Sequence, residues 1–252
     1  MVTRKSRREI EKMRVAGRIV AEVLALVESE MRPGVTTGHL DRLAERHIRA
    51  SGAVPSFKGY GHPSNPFPAS LCISIDSEVV HGIPGERTIK AGQIVSVDAG
   101  AIYDGWHGDG ARTFAIGEPS PEVRELIDTT RLAMMAGIAA AVPGAHLADI
   151  AGAIEDTARP HGYGIVRQFV GHGIGTEMHQ EPQVPNYRTG SRGLKLVPGI
   201  CLAIEPMLTL GSHEVAVAPD GWTVQTRDGS LAAHFEHTIA VTDNGPEILT
   251  TV

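Results

Sequence analysis

The sequence predicts a mixed α/β (α+β) protein made of two similar halves, residues 6–117 and 121–249, related by approximate two-fold symmetry. Each half contains a pair of helical segments, then a glycine-rich loop, then apolar strand segments that carry acidic residues. Matching features keep the same order, as in the strands that begin at Gly92 and Gly199, 107 residues apart. Each half alone would leave its sheet uncovered, so we expect residues 1–252 to form one domain.

Four amphipathic helices are predicted because apolar residues recur at a spacing of about 3.6 in four segments. Ser6-Arg7-Arg8-Glu9 is a capping box, which marks the beginning of the first helix. Pro-Gly pairs at 33–34 and 143–144 end the first helix of each half, since neither residue continues a helix easily. The predicted helices cover residues 6–31, 37–50, 121–141 and 146–159.

The loops and strands that follow the helices also repeat. The glycine-rich loops read SFKGYGHPSNPFPAS in the first half and RQFVGHGIG in the second. The next segments, KAGQIVSVDAG and VPGICLAIEPM, share a turn glycine and an apolar run that closes on an acid, Asp98 or Glu205. Asp-Gly-Trp turns at 104–106 and 220–222, 116 residues apart, are predicted to be equivalent, and each leads to a further strand with an acid near a threonine.

Composition limits the class of protein and its partners. An apolar share of 42% and a charged share of 21% are typical of a soluble globular protein, and a net charge of -6 argues against DNA as a partner. Two cysteines imply no disulfide framework and fit a cytoplasmic protein. Without an apolar run of about 20 residues, we expect no membrane span. The basic cluster near Arg7 is interpreted as a solvated helix face, with transient ribosome contact as the alternative.

Four carboxylates are the main chemical signal. Taken singly, each could cap a turn, face solvent or pair with an arginine, but the symmetry brings Asp98 and Glu205, then Asp109 and Glu236, to facing positions. Four close carboxylates repel one another unless some hold protons or bind cations. Two divalent metal ions would remove the conflict, and His172 is the best candidate for an added imidazole ligand. Such an oxygen-rich site suits Mn, Fe, Co or Zn.

The stretch FVGHGIGTEMHQEP carries His172 and His179, seven residues apart. Its glycines disfavour a helix, and it lacks the H-E-x-x-H pattern of zinc proteases, so any metal must find most ligands elsewhere. A dinuclear site usually performs hydrolysis with a metal-activated water. A nearby histidine that does not bind metal can donate to the developing oxyanion or the leaving nitrogen, and His179 and His81 fit that need.

Six motifs resemble those of the type I methionine aminopeptidases over nearly the whole chain: EVVHGIPG, VSVDAG, DGWHGDGARTF, GHGIGTEMH, AIEPM and DGWTVQTRDGSLAAHFEHT. The resemblance implies the pita-bread fold, a curved, antiparallel-rich central sheet flanked by helices. It implies two metal ions held by five ligands, Asp98, Asp109, His172, Glu205 and Glu236. Of these, Asp109 and Glu236 would bridge the two ions.

The resemblance also implies the reaction, removal of an N-terminal methionine from nascent peptides when the second residue is small. His179 would polarise the scissile carbonyl, His81 would lie near the scissile nitrogen, and Glu205 would transfer a proton. The methionine pocket would be lined by aromatic and sulfur side chains, although these types are also common in ordinary cores. The residues concerned are Tyr60, Phe67, Cys72, Met178 and Trp222.

Some features depart from the family pattern. The 60–70 loop is longer than usual, and His62 within it is expected to be only a loop residue. Met178 replaces a more usual Phe, and Gln180 replaces an acid.

We expect the protein to be a monomer.

Other members of the same fold fit the sequence less well. Aminopeptidase P usually carries an additional N-terminal domain, and creatinase lacks the complete ligand set. Type II enzymes insert a helical segment between the last two ligands, which here lie only 31 residues apart, from Glu205 to Glu236. A non-catalytic binding protein of the same fold would have lost ligands that this chain retains.

Overall fold

The computed structural model describes residues 2–252, which form four α-helices, one 3-10 turn and fifteen strands. The helices are α1 (Arg7–Glu30), α2 (Thr37–Ala50), α3 (Pro121–Ala140) and α4 (Leu147–Ala158), followed by the 3-10 turn Arg159–His161. The strands of the first half are β1 (Val54–Pro55), β2 (Leu71–Ile75), β3 (Glu78–Val80), β4 (Ile94–Tyr103) and β5 (Trp106–Ala115). Those of the second half are β6 (Gly164–Ile165), β7 (Gly171–Gly173), β8 (Gln180–Val184), β9 (Cys201–Ile204), β10 (Met207–Thr209), β11 (Val215–Val217), β12 (Val224–Thr226), β13 (Ala232–His234), β14 (Glu236–Thr242) and β15 (Gly245–Ile248).

The four predicted helices are confirmed, with ends within one residue of the predicted ones. The capping box at the start of α1 is present, because the Ser6 hydroxyl accepts from the Glu9 amide and the Ser6 amide donates to Glu9 Oε2 at 2.7 Å. Ser120 caps α3 in a similar way, at 3.3 Å from the Val123 amide. No helix in residues 2–252 is both long and apolar enough to cross a membrane.

One antiparallel sheet runs through both halves. Its strand order is β1-β4-β5-β14-β9-β7-β8, with β2 paired to β4 and β15 paired to β14. The halves join where β5 pairs with β14. Helices α1 and α2 pack a core against β2 and β4, while α3 and α4 pack a second core against β9 and β14. The sheet therefore has a continuous face at the junction of the two halves.

Two small three-stranded sheets, β13-β10-β6 and β11-β12-β3, were not predicted from the sequence. Most of their strands lie between Glu205 and Glu236, a segment in which the structure has strands and loops but no helix. This agrees with the interpretation of the 31-residue spacing, which disfavoured a helical insertion.

Two predicted strand features are wrong. Asp98 lies in the middle of β4, which continues to Tyr103, because the strand pairs with β5 along its full length. The segment around His172, predicted as a glycine-rich loop, forms strand β7, which pairs with both β8 and β9. The glycines in this segment let the neighbouring strands approach closely, and they do not make it a flexible loop.

The two Asp-Gly-Trp segments are also not equivalent. The first is the two-residue turn of the β4–β5 hairpin, in which Asp104 and Gly105 both have positive φ, 48° and 79°. The second lies in a longer loop between β11 and β12, where the Asp220 carboxylate accepts from the Trp222 amide at 2.8 Å. The shared sequence therefore produces two different turns.

Candidate active site

Three carboxylates gather around Ala111, near the junction of the halves. Asp98 on β4 lies opposite Ala111, and Glu236 on β14 lies opposite the same residue from the other side. Asp109 precedes Ala111 by two positions on β5, so its side chain points to the same face of the sheet. Strand register therefore brings together acids that are far apart in the sequence.

His172 and Glu205 complete the cluster from the second half. His172 Nε2 lies 3.4 Å from Glu205 Oε1 and 3.8 Å from Asp109 Oδ2. The other ring nitrogen, Nδ1, lies 3.0 Å from the Gly173 carbonyl oxygen, to which it donates. That bond leaves the lone pair of Nε2 facing the carboxylates, which is the arrangement of a metal-binding histidine.

The electrostatics of the cluster require protons or cations. Burial raises the pKa of Asp98 to about 7 and holds the pKa of Asp109, Glu205 and Glu236 well above the usual range. Burial lowers the pKa of His172 to about 3, so its ring is neutral. Asp98 Oδ1, Asp109 Oδ1 and Glu236 Oε1 are buried without a hydrogen-bond partner in the described residues. Oxygen-rich donors of this kind with one imidazole fit divalent transition metals.

A small cavity lies directly beside the five donors. All seven residues predicted to contact substrate line it, together with Phe57, which the sequence analysis missed. Nothing in the sequence around Phe57 distinguishes it from a core residue. The cavity-lining residues other than the five donors are Phe57, Tyr60, Phe67, Cys72, His81, Met178, His179 and Trp222.

Aromatic contacts fix the walls of this cavity. The ring of Phe67 packs edge-on against Trp222, with centroids 5.2 Å apart, and against Phe57 at 6.5 Å. The Trp222 indole nitrogen donates to the Asn65 carbonyl at 3.2 Å. The 60–70 loop therefore closes one side of the cavity, and Phe67 lines that side.

His81 and His179 lie where the cavity meets a larger open cleft, which both histidines also line. The rings of His179 and His172 are 4.2 Å apart, and the Tyr60 hydroxyl lies 2.7 Å from His179 Nδ1. His81 has a φ of 60°, a strained conformation for a non-glycine residue that is common at functional sites. Burial lowers the pKa of His81 to about 4.

Two further histidines near the cluster were not singled out from the sequence. His234 is 1% exposed, and its unpartnered Nε2 lies 3.8 Å from Glu205 Oε2. His107 precedes Asp109 by two residues on β5, and its Nδ1 is 3.0 Å from the Ser56 hydroxyl. The motif HFEH could have indicated His234. His62, in contrast, bonds Ser64 in an exposed loop, as expected.

The sequence model of metallopeptidase family M24 matches residues 11–243, so the chain belongs to this family. Among its relatives is the methionine aminopeptidase of Clostridium acetobutylicum, 54% identical over 251 residues that cover 99% of each chain. The crystal structure of methionine aminopeptidase from Thermotoga maritima is 43% identical, covers all of both chains and superposes with a TM-score of 0.96. The full-length relatives thus place the chain among the methionine aminopeptidases, and the pita-bread fold is confirmed.

A prolidase from Pyrococcus furiosus shares the fold at a TM-score of 0.80 and 23% identity. The match covers 99% of the present chain but only 65% of the prolidase. About a third of that prolidase therefore lies outside the match.

Proposed function

We propose that this protein removes the N-terminal methionine from nascent polypeptides whose second residue is small. One observation carries the proposal: five donors, three of them carboxylates with an unpartnered buried oxygen, lie beside a small cavity lined by aromatic and sulfur-bearing side chains. An unbranched, polarizable thioether suits such walls. We expect the enzyme to act as a monomer in the cytoplasm. The exposed Arg4, Arg7 and Arg8 form a solvated basic face, which is where the alternative, a transient ribosome contact, would occur.

Asp98, Asp109, His172, Glu205 and Glu236 would hold two divalent ions, Co, Mn, Fe or Zn, with Asp109 and Glu236 shared between them. When bound, the ions supply a nucleophilic water at neutral pH and polarise the substrate carbonyl. The neutral ring of His172 is ready to coordinate, because its Nδ1 proton is engaged by Gly173. The central position of Asp109, between the two halves, suits a shared ligand.

Three side chains would move or donate protons. Glu205, which lines both the cavity and the cleft, can accept a proton from the attacking water and pass it to the leaving amine. His179, on the wall between cavity and cleft, can donate to the carbonyl oxygen as negative charge develops there. His81 is placed to contact the scissile nitrogen. The open cleft gives room for the rest of the peptide.

The proposal is tested by incubating the protein with Met-Ala-Ser and with an Xaa-Pro peptide, with and without added Mn or Co. We expect metal-dependent release of methionine from Met-Ala-Ser and little cleavage of the Xaa-Pro peptide. Preferred cleavage of the Xaa-Pro peptide would favour the prolidase branch, and no cleavage of either peptide would favour a binding protein. Metal analysis of protein purified without added metal would then identify the ion.

A further inference from the structure

Tyr60 and His179 form a hydrogen bond across the mouth of the cavity. The Tyr60 hydroxyl lies 2.7 Å from His179 Nδ1, and the two rings are tilted by 47° with centroids 5.2 Å apart. The residues are 119 positions apart in the sequence. The bond therefore joins two separate walls of the site.

Main-chain hydrogen bonds hold the backbone at Tyr60. Its amide donates to the Phe57 carbonyl at 2.9 Å, and its carbonyl accepts from the Phe67 amide at 2.8 Å. The Gly59 amide donates to the Phe67 carbonyl, also at 2.8 Å. Although the Tyr60 side chain is 40% exposed, the backbone that carries it is thus fixed from both sides of the loop.

The bond has a chemical consequence for His179. A neutral imidazole has one N–H donor and one acceptor nitrogen, so a ring that accepts at Nδ1 carries its proton on Nε2. In the other tautomer, with the proton on Nδ1, the lone pair of Nε2 would face the substrate carbonyl oxygen and repel it. Burial raises the pKa of Tyr60, so the phenol remains a donor at neutral pH.

We propose that Tyr60 is a positioning residue, whose hydroxyl donates to His179 Nδ1 and thereby holds the His179 Nε2–H as a donor toward the substrate carbonyl. The role of Tyr60 in catalysis rests on the proposed function, whereas the Tyr60–His179 hydrogen bond and the tautomer of the His179 ring do not. Because Tyr60 also lines the cavity, the same residue contacts the substrate side chain and orients the donor. Side-chain recognition and carbonyl polarisation are then coupled.

The kinetic test uses Tyr60→Phe, which keeps the ring and removes only the hydroxyl. We expect kcat for Met-Ala-Ser to fall about tenfold with KM within about twofold, since only transition-state stabilisation is lost. Tyr103→Phe makes the same change at a residue that does not line the cavity, and should match the wild type. An increase in KM with unchanged kcat would show that Tyr60 only lines the cavity, and would overturn the proposal.

The tautomer is read directly by 15N NMR of the imidazole rings in Zn-loaded protein at a pH where His179 is neutral, with assignment by loss of its signals in His179→Gln. We expect a single Nε2–H form in the wild type and a measurable Nδ1–H population in Tyr60→Phe. An Nδ1–H form in the wild type, or an unchanged ring state in the variant, overturns the proposal. This measurement needs no turnover, so it remains decisive if Met-Ala-Ser proves not to be a substrate.

Discussion

Ala111 shows how a single small residue organises the proposed metal site. It lies between Asp98 and Glu236 on adjacent strands, and its methyl group leaves room for both carboxylates on one face of the sheet. Neighbouring strands are about 4.8 Å apart, so Asp98 and Glu236, one strand to either side of Ala111, project from backbones roughly 10 Å apart toward one common space. The site therefore depends on strand register as much as on the acids themselves.

Asp98→Asn should remove one metal ligand. The variant keeps the shape of the side chain but loses its charge, so we expect one metal ion fewer per chain. We also expect kcat/KM to fall by more than about 100-fold, which exceeds the usual effect of removing a residue that only hydrogen-bonds to a metal ligand. Metal content by mass spectrometry and peptide turnover measure both effects. Asp104→Asn, at an exposed carboxylate that pairs with Lys12, is the matched control. Full metal content and normal turnover in Asp98→Asn would contradict the ligand assignment.

His179→Ala should retain both metal ions and lower kcat by about 100-fold, because it removes a donor that acts mainly in the transition state. Adding Tyr60→Phe to this variant should cause no further loss, since the two residues act through one interaction. Turnover and metal content of the single and double variants are the measurements. Reduced metal content in His179→Ala would show instead that the residue is a ligand.

At the scale of elements, local sequence signals predicted the helices better than the strands. Ser6 and Glu9 determine a helix end through contacts within four residues, so sequence alone was sufficient. The position of Asp98 within β4 depends on pairing with β5, and the strand around His172 depends on β9, which is distant in sequence. The identical Asp-Gly-Trp segments form different turns because the neighbouring strands differ. Phe57 contributes through tertiary contacts that no local pattern records, whereas the motif HFEH could have indicated His234.

The loop from Phe57 to Phe67 controls the shape of the cavity through close backbone packing. Gly61 has a φ of 97°, and a Cβ at this position would lie 2.6 Å from the Trp222 ring. Gly61→Ala should therefore displace Trp222 and raise KM for Met-Ala-Ser about tenfold, with metal content unchanged. Steady-state kinetics of the variant provide the measurement.

Gly59→Ala is the matched control for this prediction. Gly59 lies in the same loop with a φ of 87°, so alanine brings similar backbone strain, but its Cβ would have no neighbour within 4 Å. We expect lower stability in both variants and a higher KM only in Gly61→Ala. Equal KM values in the two would mean that strain, rather than contact with Trp222, determines the effect.

For the whole molecule, the buried acids predict how stability depends on pH when metal is removed. Above a pH of about 7.5, one unit above the ordinary histidine pKa of about 6.5, histidines are mostly neutral in both states and unfolded carboxylates are ionised. The folded protein still holds protons at the buried acids, since the pKa of Asp98 is raised to about 7 and those of Asp109, Glu205 and Glu236 are higher than usual. Unfolding therefore releases protons, and stability should fall as pH rises through this range.

The expected slope is about 1.4 kcal/mol per pH unit for each proton released. Urea unfolding of EDTA-treated protein at pH 7.5 and 8.5 measures it, and Asp98→Asn should reduce it. In metal-loaded protein the ligands are already ionised, so this decrease should disappear. Below pH 7.5, buried neutral histidines such as His81 oppose the trend, because their unfolded forms gain protons. A metal-free protein that becomes more stable from pH 7.5 to 8.5 would contradict the assignment of protonated, buried acids.

We propose that the two halves fold as one unit, because the contacts at their junction are continuous. The Asp109 amide donates to the Thr238 hydroxyl at 2.9 Å, and that hydroxyl donates back to the Asp109 carbonyl at 2.8 Å. One apolar cluster also joins Ile10 and Met13 of α1 to Leu249 at the other end of the chain. Separation would expose these groups and two sheet edges, which isolated halves could not cover.

The chain offers a direct measurement of this prediction, because each half contains a single tryptophan, Trp106 or Trp222. Trp222→Phe leaves Trp106 to report on the first half, and Trp106→Phe leaves Trp222 to report on the second. We expect both variants to show a single fluorescence transition in urea that coincides with the loss of helical circular dichroism. Fragments 1–118 and 119–252 should be unfolded when expressed alone. If either tryptophan reports a transition separate from the helical signal, the halves are independent domains, and the site between them forms by docking rather than by folding.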